Sequence, residues 1–150
     1  MRRGLVYALL LAAALLIPSE GVELGKMIPV ETLYIQYKEG QIILQTDTED
    51  VGTGATAQEA MADLEQTTAG RIFPDTTVFL LVDENAKYYI EAIEPYLKGN
   101  VRLCELNGDA DLKAVGEYLH AHHPKMKLKQ WRKGMQLQAL ETENGRMKIK

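Results

Sequence analysis

Leu33, Ile35 and Tyr37 alternate with Tyr34, Gln36 and Lys38. That two-residue period predicts a strand over Met27–Lys38 with one face turned inward. Glu39-Gly40 reads as a tight turn and Gln41–Thr46 as the returning strand, so the pair forms a hairpin. Asp47–Gly54 is polar and carries glycines, which predicts a loop. The period then lengthens. Thr56-Ala57-Gln58-Glu59 spells a capping box, and Ala57, Ala60 and Leu64 share the inward face of the helix it starts. Gly70–Asp75 predicts a loop, and Thr76–Val82 is apolar and β-branched enough for a strand buried on both faces. Asn85 is placed to cap a helix to about Leu97, with Tyr89, Ile90, Ile93 and Leu97 on its stripe and Gly99 closing it. Val101–Leu106 predicts another buried strand. Asp109 or Asp111 then starts a third helix bearing Leu112, Val115 and Leu119, which Pro124 stops. Beyond Pro124 the period returns to two. Lys125, Lys127 and Lys129 alternate with Met126, Leu128 and Gln130, which predicts a strand with a lysine face. Gln136–Glu141 and Arg146–Lys150 flank Asn144-Gly145, the strongest short hairpin signal.

The order is ββαβαβα followed by two or three β segments. It predicts an α/β (α+β) fold: a mixed sheet with an N-terminal hairpin, alternating β/α units and C-terminal strands. Strands joined through helices imply right-handed crossovers and a largely parallel centre with antiparallel additions. No repeat, linker or low-complexity stretch divides residues 22–150, so they read as a single domain.

The start of the chain has a different pattern. Arg2 and Arg3 precede an unbroken apolar run, Leu5 to Ile17, ended by Pro18, Ser19, Glu20 and Gly21. A basic start, a run of roughly 7–15 apolar residues and small residues at the exit form an export signal. Ser19 and Gly21 suit cleavage before Val22. The alternative is an uncleaved anchor, although residues 4–17 fall short of the about 20 apolar residues of a comfortable span. Either fate puts the remainder outside the cytoplasm, secreted or held at the outer face of the cell membrane. A lipid anchor at this point would need a cysteine there, and the only cysteine is Cys104.

Charge is divided unevenly. Residues 22–124 hold 7 Lys or Arg against 18 Asp or Glu, a net of −11, whereas residues 125–150 hold 8 against 2, a net of +6. An acidic body argues against nucleic acid as its partner. A single cysteine excludes an internal disulfide, and Cys104, within Val101–Leu106, reads as a buried strand residue rather than a nucleophile.

Candidate chemistry is sparse. His120 and His123 share a helical face beside His122 and could hold one metal, but a closed zinc site needs four ligands. Imidazoles at a helix C-terminus also complement the macrodipole. Asp47, Glu49 and Asp50, with Thr46 and Thr48, offer hard oxygen ligands without the spacing of a calcium loop. Gly52-Thr53-Gly54 precedes a helix like an anion nest but lacks the P-loop ending. Asp47, Asp50, Gly52 and Gly54 thus form a candidate ligand loop. Trp131 among Lys125, Lys127, Lys129, Arg132 and Lys133 marks a candidate interaction surface, unless these lysines guard an edge strand. No serine lies in a nucleophile elbow, no acid–base pair stands out and no cofactor motif is present, so the expectation is a protein without catalysis.

Several stretches are similar to the first domain of Ger(x)C-type spore-germination lipoproteins, the C subunits of nutrient germinant receptors. They are Glu23-Leu24, Pro29–Ile35, Glu39-Gly40, Gly54-Ala55-Thr56, Glu59–Leu64, Val78–Val82 and Val101–Cys104, within residues 22–120. The family carries a lipidated cysteine after its signal and continues into further domains; this chain departs from it on both counts. The resemblance implies a non-enzymatic protein at the outer face of a Gram-positive membrane, in contact with a membrane or cell-envelope protein. A small-molecule or metal-binding exported domain is the alternative.

Overall fold

The protein was analysed as a computed structural model, which describes residues 27–143 and 146–150. The expected export signal, its expected cleavage point and the turn expected at Asn144-Gly145 lie outside the described residues. Among the described residues no helix is long and apolar enough to cross a membrane.

The fold is α/β, as the pattern predicts. Among the described residues the strands are β1 (Met27–Pro29), β2 (Thr32–Lys38), β3 (Gln41–Thr46), β4 (Val51–Gly54), β5 (Arg71–Phe73), β6 (Phe79–Val82), β7 (Arg102–Leu106), β8 (Ala139–Glu143) and β9 (Arg146–Ile149). The α-helices among the described residues are α1 (Ala57–Thr67), α2 (Ile90–Ile93) and α3 (Leu112–Ala121). Seven strands form one mixed sheet in the order β4-β3-β2-β6-β7-β8-β9, and β1 pairs with β5 in a separate parallel ribbon. β2, β6, β7 and β8 are parallel, with β3, β4 and β9 antiparallel at the flanks.

The sheet is covered on both faces. β6 has no polar side, because Leu80 and Val82 enter one core and Phe79 and Leu81 the other. The first core packs β2, β3, β6 and β7 against α1, the 84–96 segment and the 128–137 stretch. The second packs Tyr34, Phe79, Leu81, Cys104 and Leu106 against Leu112, Val115 and Leu119 of α3. Each fully buried aliphatic or aromatic side chain contributes roughly 1.5–3 kcal/mol relative to exposure. Tyr34 reaches past β6: its hydroxyl donates to the carbonyls of Leu106 at 2.9 Å and Gly108 at 3.1 Å. Burial is the main cause that pushes this phenol up to about 12.

Local signals account for several boundaries. Lys38 pairs with Gln41, and Glu39 and Gly40 have φ of 51° and 81°, the two positive values of a type I′ hairpin turn. Thr56 Oγ1 accepts from the Glu59 N–H, and the Glu59 carboxylate reaches back to the Ala55 N–H. Asp111 caps α3 by accepting from Lys113 and Ala114, which settles the choice between Asp109 and Asp111.

Other boundaries differ from the pattern. The first strand is two, because the chain leaves β1 after Pro29 and joins the main sheet at Thr32. The expected 70–75 loop contains β5, and the expected strand from Thr76 begins only at Phe79, after a 3-10 turn at Pro74–Thr76. Asn85 does not cap: Asp83 accepts the Asn85 N–H at 3.1 Å and starts a 3-10 segment, Glu84–Tyr89. The chain then winds as α2 and a second 3-10 turn, Glu94–Tyr96, so the helix to Leu97 exists only in part, and Pro95 lies where it fails. Leu97 is its C-cap rather than Gly99, whose φ is not positive. The lysine-faced strand is absent. Lys127 makes one antiparallel bridge to Arg102, and Leu128–Gln130 turn as a 3-10 helix, because β8 takes the remainder of that edge of β7. The penultimate strand starts at Ala139, not Gln136.

Candidate functional site

Gly52 and Gly54 belong to β4, not to a loop, and they face α1. A Cβ on Gly52 would stand 2.5 Å from the Leu64 backbone nitrogen and would strike the Ala60 carbonyl oxygen; one on Gly54 would stand 2.5 Å from the Ala60 nitrogen. These glycines serve close strand–helix packing, which corrects the reading of a ligand loop around them. Asp50 is held by Thr48, whose hydroxyl donates to it at 2.8 Å and lies 2.8 Å from that of Thr46, while the Asp47 carboxylate accepts from the Glu31 N–H instead.

The histidines go separate ways. His120 Nε2 lies 3.4 Å from a Glu31 carboxylate oxygen and the ring meets Phe79 edge-on, while His122 stacks on Tyr118. His123 is exposed beyond the end of α3. Among the described residues no three His, Cys, Asp or Glu side chains are grouped to hold a metal. Cys104 is a buried strand residue, as the pattern predicts; its thiol donates to the Gln138 carbonyl, and burial first of all pushes it up to about 12.

The proposed basic surface is also rearranged. Trp131 is 6% exposed and packs in the first core, so it is not a surface anchor. Lys125 and Lys129 are exposed on the way to it, and Arg132 is exposed but donates to the carbonyls of Lys129 and Trp131. Lys133 alone of these cations lines a cleft.

That cleft, about 760 Å³ and open to solvent, lies at the carboxyl ends of β2 and β6. Open α/β sheets bind ligands there, because the strand-to-helix connections leave a crevice above the strand ends. Three segments build it. β2 supplies Tyr37, the 3-10 segment after β6 supplies Glu84, Asn85, Lys87, Tyr88 and Tyr89, and residues 131–136 close the far side. Tyr37 and Tyr89 lie with ring centroids 4.9 Å apart at 33°. The neighbouring Tyr37 hydroxyl is the main cause that raises the Tyr89 phenol above its ordinary value. Gly134, at φ 90°, permits a turn closed by the Met135 N–H on the Arg132 carbonyl. This turn presents Lys133 and Met135 to the opening, with the Lys133 ammonium 5.3 Å from the centre of the Tyr88 ring.

Some lining groups are committed and others are free. Lys87 pairs with Glu105 at 2.6 Å, Glu105 accepts from the Asn107 amide, and Asn107 accepts the Glu84 N–H. The side chains of Glu84, Asn85 and Gln136 make no hydrogen bond or ion pair among the described residues. The Trp131 indole N–H is buried without a partner. Tyr88 is 71% exposed and Met135 45%. The sequence points to the far wall of this cleft through Trp131 and Lys133, whereas the near wall has only Tyr88 as its trace, an aromatic beside Tyr89 but off the apolar stripe.

Searches against protein-family models, curated proteins and solved structures each found no match.

Proposed function

We propose that the chain is a non-catalytic, extracytoplasmic interaction module that holds a component of the cell envelope in the cleft above β2 and β6. One observation carries this reading. Tyr88 and Met135, two of the three large exposed apolar side chains among the described residues, line the same cleft from segments more than forty positions apart. Exposed aromatic and methionine side chains gathered at one concave place are the mark of a contact surface. The lining supports binding over chemistry: it contains one carboxylate, Glu84, and neither histidine, cysteine, serine nor threonine. The basic start and apolar run at the N-terminus support an extracytoplasmic location, and the likeness to germination subunits supports the outer face of a Gram-positive envelope.

The test is co-sedimentation of the full chain with isolated Gram-positive envelopes. Retention is expected to fall by at least about tenfold in Tyr88→Ala and Met135→Ser, as for anchors at a contact centre. Unaltered far-UV circular dichroism would show that both variants still fold. Retention equal to that of the native chain in both would overturn the reading.

A further inference from the structure

We propose that this cleft is a site for a neutral saccharide, a reading that rests on the interaction function above and names its ligand class. The argument begins with what the lining lacks. It has four aromatic rings and one methionine, but no leucine, isoleucine or valine. A lipid chain is best held by a predominantly apolar lining, whereas Glu84, Asn85, Lys87, Lys133 and Gln136 make up nearly half of this one. A sugar ring is different: it has C–H faces of weak polarity and a rim of hydroxyls that both donate and accept. Aromatic faces carry the negative side of the ring quadrupole, which suits those C–H faces.

The free polar groups match the rim. Asn85 and Gln136 each offer a donor and an acceptor on one planar amide, and Glu84 offers two acceptors. None of the three is engaged within the protein among the described residues.

Charge argues against an acidic ligand. Lys87 is committed to Glu105, so Lys133 is the only free cation of the lining, and the free carboxylate of Glu84 opposes it. Lys133 rests over the face of Tyr88, where a sugar ring would lie. A neutral ligand displaces that ammonium and needs no charge from it. The size is adequate as well, since ligand clefts of about 300–1,000 Å³ are usual and this one is open at its mouth.

Titration of the full chain with defined neutral oligomers of N-acetylglucosamine, glucose, mannose and galactose tests the proposal. Trp131 is the only tryptophan, so its emission reports directly on the cleft wall, and calorimetry gives the affinity. At least one oligomer is expected to saturate with a dissociation constant between about 1 μM and 1 mM. Tyr88→Ala should weaken it at least about tenfold, while Tyr88→Phe keeps the ring and the binding. Lys133→Ala should leave the affinity unchanged or improve it. Loss of neutral-oligomer binding in Lys133→Ala would show that the ammonium, not the Tyr88 ring face, holds the ligand, and would overturn the proposal. If no oligomer binds at about 10 mM while envelope retention still depends on Tyr88, the saccharide assignment falls and the interaction reading stands. If retention is also indifferent to Tyr88, the interaction reading falls with it.

Discussion

Asp47 shows how one buried atom acquires a pH dependence. One carboxylate oxygen is buried without a partner, and the other accepts the Glu31 N–H at a long 3.4 Å. Burial is the main cause that raises its pKa, and the nearby Glu31 carboxylate adds to it. The folded state therefore binds this proton more tightly than the unfolded chain, in which the group titrates near about 3.9. The sign follows from linkage: stability declines as pH rises from the unfolded value through the folded one, and the loss persists above it. Asp47→Asn removes the charge and keeps an oxygen for the Glu31 N–H. Its melting temperature should exceed that of the native chain at pH 7, and the difference should close near pH 3, where both side chains are neutral. A variant less stable than the native chain at pH 7 would mean that the carboxylate is better solvated than its burial implies.

At the scale of elements, the edge of the sheet at β4 is closed by a helix. Asp63 of α1 accepts from the Thr53 N–H at 2.7 Å, and Thr67 donates to the Val51 carbonyl at 3.0 Å. Groups that would recruit another strand are thus satisfied from within the chain. This requires α1 to lie directly on β4, which Gly52 and Gly54 allow. Gly52→Ala is expected to cost about 1–3 kcal/mol or more through overpacking, because the added methyl meets helix backbone rather than a side chain that can turn away. Denaturant unfolding would measure it, and a cost below about 0.5 kcal/mol, the range of ordinary surface changes, would show that the helix can shift. The same pair shows which features the sequence discloses. The cap at Thr56, the cap at Asp111 and the Glu39-Gly40 turn depend on residues within four positions, and the structure has each where the local pattern allows it. The role of Gly52 depends on Ala60 and Leu64, so the local rule that glycine marks a loop misplaced it. The lysine alternation at 125–129 has the period of a strand, yet β7 gives it only the bridge at Arg102. Period alone does not reveal whether an edge is vacant.

For the whole molecule, topology decides both where the cleft lies and how firmly its walls are held. Tyr37, Tyr88 and Met135 have no common motif and meet only because parallel strands β2 and β6 end side by side. The basic cluster around Trp131 accordingly discloses only the wall at Trp131 and Lys133, and nothing local discloses Tyr37 or Tyr88 opposite it, although the sheet that creates the cleft is legible from hydrophobic period. The two sides of that sheet differ in support. β6 is bonded to β2 along one edge and to β7 along the other, and its four residues are buried. β8 meets β7 only at Glu105 and Leu106, and β9 is an edge strand with alternate residues exposed. Local opening is cheapest where few backbone bonds and little apolar area must be broken. In native-state hydrogen exchange, the amides of Leu80, Leu81 and Leu103 should exchange only through global unfolding. The amides of β9 should open earlier, by a separate step with weaker dependence on denaturant. The cleft borders the firm side through Tyr37 and the segment after β6, and the weaker side through residues 131–136, which lead into β8. Ligand bound across both should therefore slow exchange in β8 and β9 while leaving β6 at its global limit. Protection of β9 equal to that of β6 in the free protein would contradict this division and make the cleft rigid on both sides.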